Sequence, residues 1–284
     1  MTEPKQPCTP DDASRRVFLS GTLAAGFALA VRPVAATTIS TDGTGLIAGA
    51  VTIPVAGGAM PAYRARPDGD AAALPTVIVV QEIFGVHEHI QALCRRLAKQ
   101  GYLAIAPELY FRQGDPRKYP EVDQLMKLVM SVPDTQVLAD LDTTVAWAAQ
   151  NGGDARRIAM TGFCWGGRIV WLYAARSPGL KAAVAWYGRL VGTPTANTPK
   201  QPVDVAAELK VPVLGLYGGQ DKGIPAESVA QMREAIKKAK APSEIIVYPD
   251  AGHGFNADYR PSYNEAAARD GWQKMLGWFK QHGV

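Results

Sequence analysis

The sequence predicts an α/β protein: a mostly parallel central sheet with helices on both faces, opened by an antiparallel N-terminal hairpin. Three observations carry this. Short apolar runs, mostly β-branched or aromatic, recur along the chain without clean polar alternation, as strands buried on both faces require. Stretches of helical periodicity lie between them, and strand–helix alternation is the pattern of a parallel sheet. Of 284 residues, 47% are hydrophobic and 20% charged, which is ample apolar material for a core and excludes a disordered chain.

The elements follow in order. Leu46–Val55 and Met60–Ala65, separated by Ala56-Gly57-Gly58, read as the hairpin. The central strands are Thr76–Val80, Tyr102–Ala106, Arg157–Thr161, Ala182–Trp186, Val213–Tyr217 and Glu244–Tyr248. Glu88–Gln100 carries Leu93 and Leu97 at helical spacing, and Asp134–Gln150 opens on Asp134 as an N-cap candidate. Gly166–Arg176 is the next helix. Glu227–Lys240 follows, its lysines gathered late as the helix dipole prefers. Pro261–Gln281 closes the chain, and its stripe of Trp272, Met275, Leu276 and Phe279 reads as core. Val191–Asp204, with three prolines, reads as a long surface loop. Residues 107–133 form a second excursion that lines whatever site the sheet forms. No linker divides residues 37–284, which read as a single domain.

Residues 1–36 read as an address. Ser14-Arg15-Arg16-Val17-Phe18-Leu19 leads into a weakly apolar run ending at Val31, shorter than the ~20 residues a membrane span needs. Val34-Ala35-Ala36 supplies small residues for cleavage. The paired arginines resemble the twin-arginine export signal, which implies the twin-arginine export machinery as a partner and the bacterial periplasm as destination. No later segment is apolar for long enough to span a membrane, so no stable span remains after signal removal. A net charge of +4 is too small and scattered for a nucleic-acid footprint. Three cysteines are too few for a disulfide scaffold. Cys8 leaves with the signal, and Cys94 sits in a helical core pattern.

Cys164 is the remaining cysteine. The strand Arg157–Thr161 runs into Gly162-Phe163-Cys164-Trp165-Gly166-Gly167 and then a helix. This is a G-x-nucleophile-x-G elbow, in which small neighbours let strand and helix approach while the nucleophile is held out near a helix N-terminus. The Trp165 amide then faces a developing oxyanion. A nucleophile needs a base, and the base an orienting group. His253 follows the last strand in Ala251-Gly252-His253-Gly254-Phe255, and Asp221 follows Val213–Tyr217 in Gly218-Gly219-Gln220-Asp221. Their order along the chain is the one the elbow demands. The plainer readings are a buried small hydrophobe for Cys164, an Asx-turn residue for Asp221 and a loop histidine for His253. After the first central strand, Glu82 is a costly carboxylate in an apolar run, available to influence Cys164 ionisation, and Ile83 offers a second oxyanion amide. A surface ion pair is the plainer reading of Glu82. His87-Glu88-His89 reads as solvated helix start rather than metal site, and His282 as solvent-exposed.

These residues resemble the dienelactone hydrolase family, a branch of the α/β-hydrolase fold with a cysteine nucleophile. The carriers are Gln81-Glu82-Ile83-Phe84-Gly85-Val86, Ala106-Pro107-Glu108-Leu109-Tyr110, the Cys164 elbow, and the Asp221 and His253 segments. The resemblance implies a Cys164–His253–Asp221 triad, an Ile83 and Trp165 oxyanion hole, and Glu82 as the glutamate that helps generate the thiolate. It departs at the arginines with which well-known members bind the substrate carboxylate. After His253 no arginine comes before Arg260, and Arg112, Arg117 and Lys118 are not clearly matched to the other.

The expected activity is hydrolysis of carboxylic esters or lactones, carboxymethylenebutenolidase-like, through a thioester acyl-enzyme. Phe84, Tyr110, Trp165, Tyr187 and Phe255 are candidates to line an apolar pocket. No metal and no organic cofactor is implied. Two other classes stay open: a thiol redox protein, which lacks a C-x-x-C motif here, and a non-catalytic binding protein on a hydrolase scaffold.

Overall fold

Eight strands form one sheet in the order β1-β2-β4-β3-β5-β6-β7-β8, in a computed structural model that describes residues 39–69 and 73–284. The expected export signal, residues 1–36, lies outside the described residues. β1 (Leu46–Val55) and β2 (Gly58–Pro67) pair antiparallel over their full length, and β2 joins β4 (Leu103–Pro107) antiparallel. The remaining strands, β3 (Leu74–Val80), β5 (Gly153–Phe163), β6 (Ala182–Trp186), β7 (Val213–Gly218) and β8 (Glu244–Tyr248), are parallel with β4. β4, β6 and β7 are buried at every position, which explains their continuous apolar sequence.

The helices are α1 (Glu88–Ala98), α2 (Val122–Met130), α3 (Asp134–Gln150), α4 (Trp165–Arg176), α5 (Ala226–Ala239) and α6 (Glu265–Gln281). α2 was not expected; it forms inside the 107–133 excursion, where Leu125, Leu128 and Val129 bury one face of a short amphipathic turn pattern. The Val191–Asp204 stretch likewise ends in a 3-10 helix, Pro202–Glu208. α6 starts at Glu265 rather than Pro261 because Asn264 accepts a hydrogen bond from the Ala267 amide and so sets the N-terminus. Asp134 is not an N-cap. Pro133 holds that position, and Asp134 turns inward to a buried ion pair with Arg168.

α4 is buried on nearly every side and lies close against the strand ends. Its first turn is glycine because nothing larger fits. A Cβ on Gly166 would lie 2.5 Å from the Val80 carbonyl oxygen and closer still to that of Gln81; one on Gly167 would overlap the Trp186 carbonyl. Gly166→Ala is therefore expected to cost about 2–3 kcal/mol through forced backbone displacement, read as a lower urea midpoint at unchanged slope.

Candidate active site

Cys164 sits between β5 and α4 with φ 55° and ψ −114°. A non-glycine residue held there stores on the order of 1–3 kcal/mol of strain, tolerated only where the surroundings fix it. They do: the Cys164 amide donates to the Trp186 carbonyl at 3.0 Å, and the glycine-tight first turn of α4 holds the other side.

His253 bridges Cys164 and Asp221. Its Nε2 is 3.2 Å from Cys164 Sγ, and its Nδ1 is 2.7 Å from Asp221 Oδ2. Asp221 Oδ1 also accepts from the Gly223 and Ile224 amides at 2.8 and 3.1 Å. The turn role and the histidine contact are thus met by different oxygens of one carboxylate. All three side chains are buried. Burial alone would lower the His253 imidazole, but charge at Cys164 and the Asp221 carboxylate outweigh it and push it up to about 10.

Glu82 is fully buried, not in a surface ion pair. Tyr259 donates its hydroxyl to Glu82 Oε2, and His87 Nε2 lies 3.8 Å away. Burial would raise this carboxyl; the Arg260 charge, with His87 and His89, outweighs it and holds the group well below the usual carboxylate range. His89 is buried and bonds Asp258 at 3.1 Å, so it is not a solvated helix-start residue as the sequence suggested. It turns inward because Asp258 on a distant loop satisfies it. His282 is also half-buried, edge-on to Trp278 at 4.6 Å. Cys94 packs in the core on α1, and burial pushes its thiol up. Such a thiol is a poor redox partner.

A cavity of about 370 Å³ opens beside Cys164, and Ile83 and Trp165 line it. Its other walls differ from expectation. Tyr110, Tyr187 and Phe255 do not line it; they are fully buried. Tyr110 packs edge-on against Trp165 at 4.8 Å, and Tyr187 lies between His253 and Phe255, 5.3 and 5.2 Å from them. Phe84 lies outside it too, with Arg260 stacked over its ring. Tyr110, Tyr187 and Phe255 pack behind residues of the site, in the core at the strand ends. The walls come instead from the two excursions: Met126, Val129 and Met130 of α2, and Thr193–Thr198 of the loop after β6.

Two arginines missed by sequence reasoning complete the cavity, Arg168 and Arg189. Arg168 makes a two-pronged bond to Asp134 at 2.7 and 2.8 Å and donates to Gln201 and the Lys200 carbonyl. It ties α3, α4 and the loop after β6 together. Arg189 lies three residues after the end of β6, in a region where ligands gather in such sheets; that placement was the available signal. Burial lowers its guanidinium from the ordinary value, and charge at Cys164 offsets part of this. Arg112 and Arg117 are engaged elsewhere, with Asp140 and with Asp115 and Glu108. No group of three or more potential metal ligands occurs among the described residues.

Residues 60–283 match the model of the dienelactone hydrolase family. The chain is 61% identical over 266 residues to the "Putative carboxymethylenebutenolidase" of Escherichia coli (strain K12), covering 93% of this chain and 98% of that one. It is 31% identical to the "Probable 2-oxo-3-(5-oxofuran-2-ylidene)propanoate lactonase" of Bradyrhizobium sp, covering 78% and 89%. A crystal structure described as "Putative Dienelactone Hydrolase from Klebsiella pneumoniae subsp. pneumoniae MGH 78578" superposes with a TM-score of 0.82 at 64% identity, covering 83% of this chain and 99% of that one.

The raised His253 has a consequence for stability. A group raised by folding adds stability that is complete below its ordinary value of 6.5 and is lost as pH climbs through about 10. Between about pH 7 and about pH 10.5 the melting temperature of the wild type should fall further than that of His253→Gln, as read by calorimetry at matched ionic strength.

Proposed function

The chain belongs to the dienelactone hydrolase family, and from that premise we propose that it hydrolyses carboxylic esters or lactones by thiol acyl transfer. The observation that carries the reading is His253 set between Asp221 at 2.7 Å and Cys164 at 3.2 Å, with Cys164 lining a cavity. Cys164 attacks the substrate carbonyl while the amides of Ile83 and Trp165 receive the negative charge on its oxygen. His253, protonated at neutral pH, gives its proton to the leaving alkoxide, and a thioester remains. The neutral imidazole then takes a proton from water, which attacks the thioester and returns the enzyme. Asp221 holds the Nδ1 proton and orients the ring throughout.

The cavity also suggests what the substrate carries. Its lining includes Arg168 and Arg189 but no Asp or Glu. A carboxylate on the substrate would meet Arg189, with its apolar part against Met126 and Val129. This agrees with the propanoate in the name of the Bradyrhizobium relative. Glu82 is assigned to assist formation of the reactive thiolate. The reading extends to residues 1–36 as a twin-arginine signal directing the protein to the periplasm. N-terminal sequencing of periplasmic protein should begin at Thr37, and replacing both Arg15 and Arg16 by Lys should leave the precursor uncleaved in the cytoplasm.

Cys164→Ala is expected to abolish turnover of p-nitrophenyl esters and unsaturated lactones; full activity in that variant would refute the mechanism. Arg189→Gln should raise KM for a carboxylate-bearing ester about 10- to 100-fold, the worth of one charged hydrogen bond. It should leave a neutral ester of equal size unaffected. Equal effects on both would remove the anionic group from the proposal.

A further inference from the structure

The triad loop and the oxyanion loop come from opposite ends of the chain, and one tripeptide joins them. Asp258, Tyr259 and Arg260 follow His253 by five to seven positions, and each side chain reaches a different residue of the stretch from the end of β3 to the first turn of α1. Asp258 accepts from His89 at 3.1 Å, Tyr259 donates to Glu82, and Arg260 stacks over the Phe84 ring at 5.0 Å. These targets bracket Ile83. Glu82 and Phe84 are its two chain neighbours, so a hold on both fixes the peptide plane that carries its amide.

The other end of the link is equally short. The loop from Gly254 to Arg260 is wound into consecutive turns, with the Ala257 amide on the Gly254 carbonyl at 2.8 Å and the Arg260 amide on the Ala257 carbonyl at 3.0 Å. Gly254, beside His253, has φ +73°, and a Cβ there would come within 3.3 Å of Arg260 Nη1. The Arg260 guanidinium therefore fills the space between the neighbour of the base and the neighbour of the oxyanion amide. It is only 3% exposed, and burying such a group is costly unless its position is used or compensated.

We propose that Asp258-Tyr259-Arg260 is a clamp that sets the distance between His253 and the Ile83 amide, with Tyr259 as a positioning residue for acyl transfer. The clamp is needed because the sheet does not supply this distance. β3 and β8, the strands before the two loops, are separated by β5, β6 and β7, so small changes of twist would otherwise alter it. The segment is held on its far side as well: Gln81 accepts from the Leu109 amide at 3.3 Å and Glu108 from the Val86 amide at 3.2 Å. Those bonds fix it to the turn after β4, whereas the clamp joins it directly to the loop that carries His253. The inference rests on the catalytic roles proposed for Cys164, His253 and Ile83, but the contacts themselves do not.

The test uses the intact protein and Tyr259→Phe, which removes one hydroxyl. Hydrogen exchange read by mass spectrometry should become about tenfold faster in the peptides spanning residues 81–86 and 251–255 and remain unchanged in β6. kcat for an ester should fall about 10- to 100-fold at nearly constant KM, the size of effect that a misplacement near 1 Å produces. Alkylation of Cys164 by iodoacetamide needs the thiolate but no oxyanion amide, so its rate should fall by much less than kcat. Unchanged exchange over residues 81–86 overturns the clamp whatever the kinetics. A kcat close to wild type, or an equal loss of alkylation rate, overturns the positioning role. Asp258→Ala, which releases a second contact of the same tripeptide, should show the same pattern and serves if Tyr259→Phe does not fold. Cys164→Ala assayed in parallel judges the acyl-transfer mechanism separately, since the exchange result does not depend on it.

Discussion

Everything at the site depends on how closely the first turn of α4 lies against the ends of β3 and β6. A Cβ on Gly166 would collide with the Val80 and Gln81 carbonyls, and one on Gly167 with that of Trp186. With no side chains in the way, the turn between β5 and α4 is forced tight, and Cys164 takes a positive φ that its neighbours then hold in place. The same contact sets Trp165 beside Ile83 on the cavity wall. A single steric condition therefore brings Cys164, Ile83, Trp165 and the cavity to one place.

Charge is arranged around this point in two buried groups. On one side His253 gains from Asp221 and Cys164 more than burial takes away. On the other, Glu82 is kept ionised by Arg260 and the nearby histidines despite complete burial. Buried charges are costly singly and are retained where each has partners. Arg168 and Asp134 follow the same rule at the cavity wall, where loss of either partner would strand the other at a cost of about 3–5 kcal/mol. The polar groups near the site therefore hold loops in position as well as carrying charge.

The fold was legible because burial on both faces leaves a plain mark on strands such as β6 and β7, whose sequences are apolar throughout. The elbow was legible for a similar reason. Glycines at fixed offsets from a nucleophile report a local steric demand, and Asp221 and His253 follow strand ends where ligands gather. α2 was missed because its nine residues sit in a stretch bounded by prolines and polar residues, and a short helix draws its stability from what it packs against. The aromatic pocket was misread because aromatic residues near strand ends look alike in sequence whether they face the cavity, as Trp165 does, or lie beneath it, as Tyr187 and Phe255 do.

The sequence by itself therefore determined the sheet, the elbow and the identity of the residues around it, since each follows from local rules of burial, sterics and chain order. Tertiary structure decided what surrounds them. Arg189 lines the cavity while Arg112 and Arg117 are paired elsewhere. Glu82 meets Tyr259, 177 residues further along the chain, and His89 meets Asp258. Which charges balance which, and which loops are tied together, is set by distances between segments remote in sequence. Only packing around a completed sheet fixes those distances.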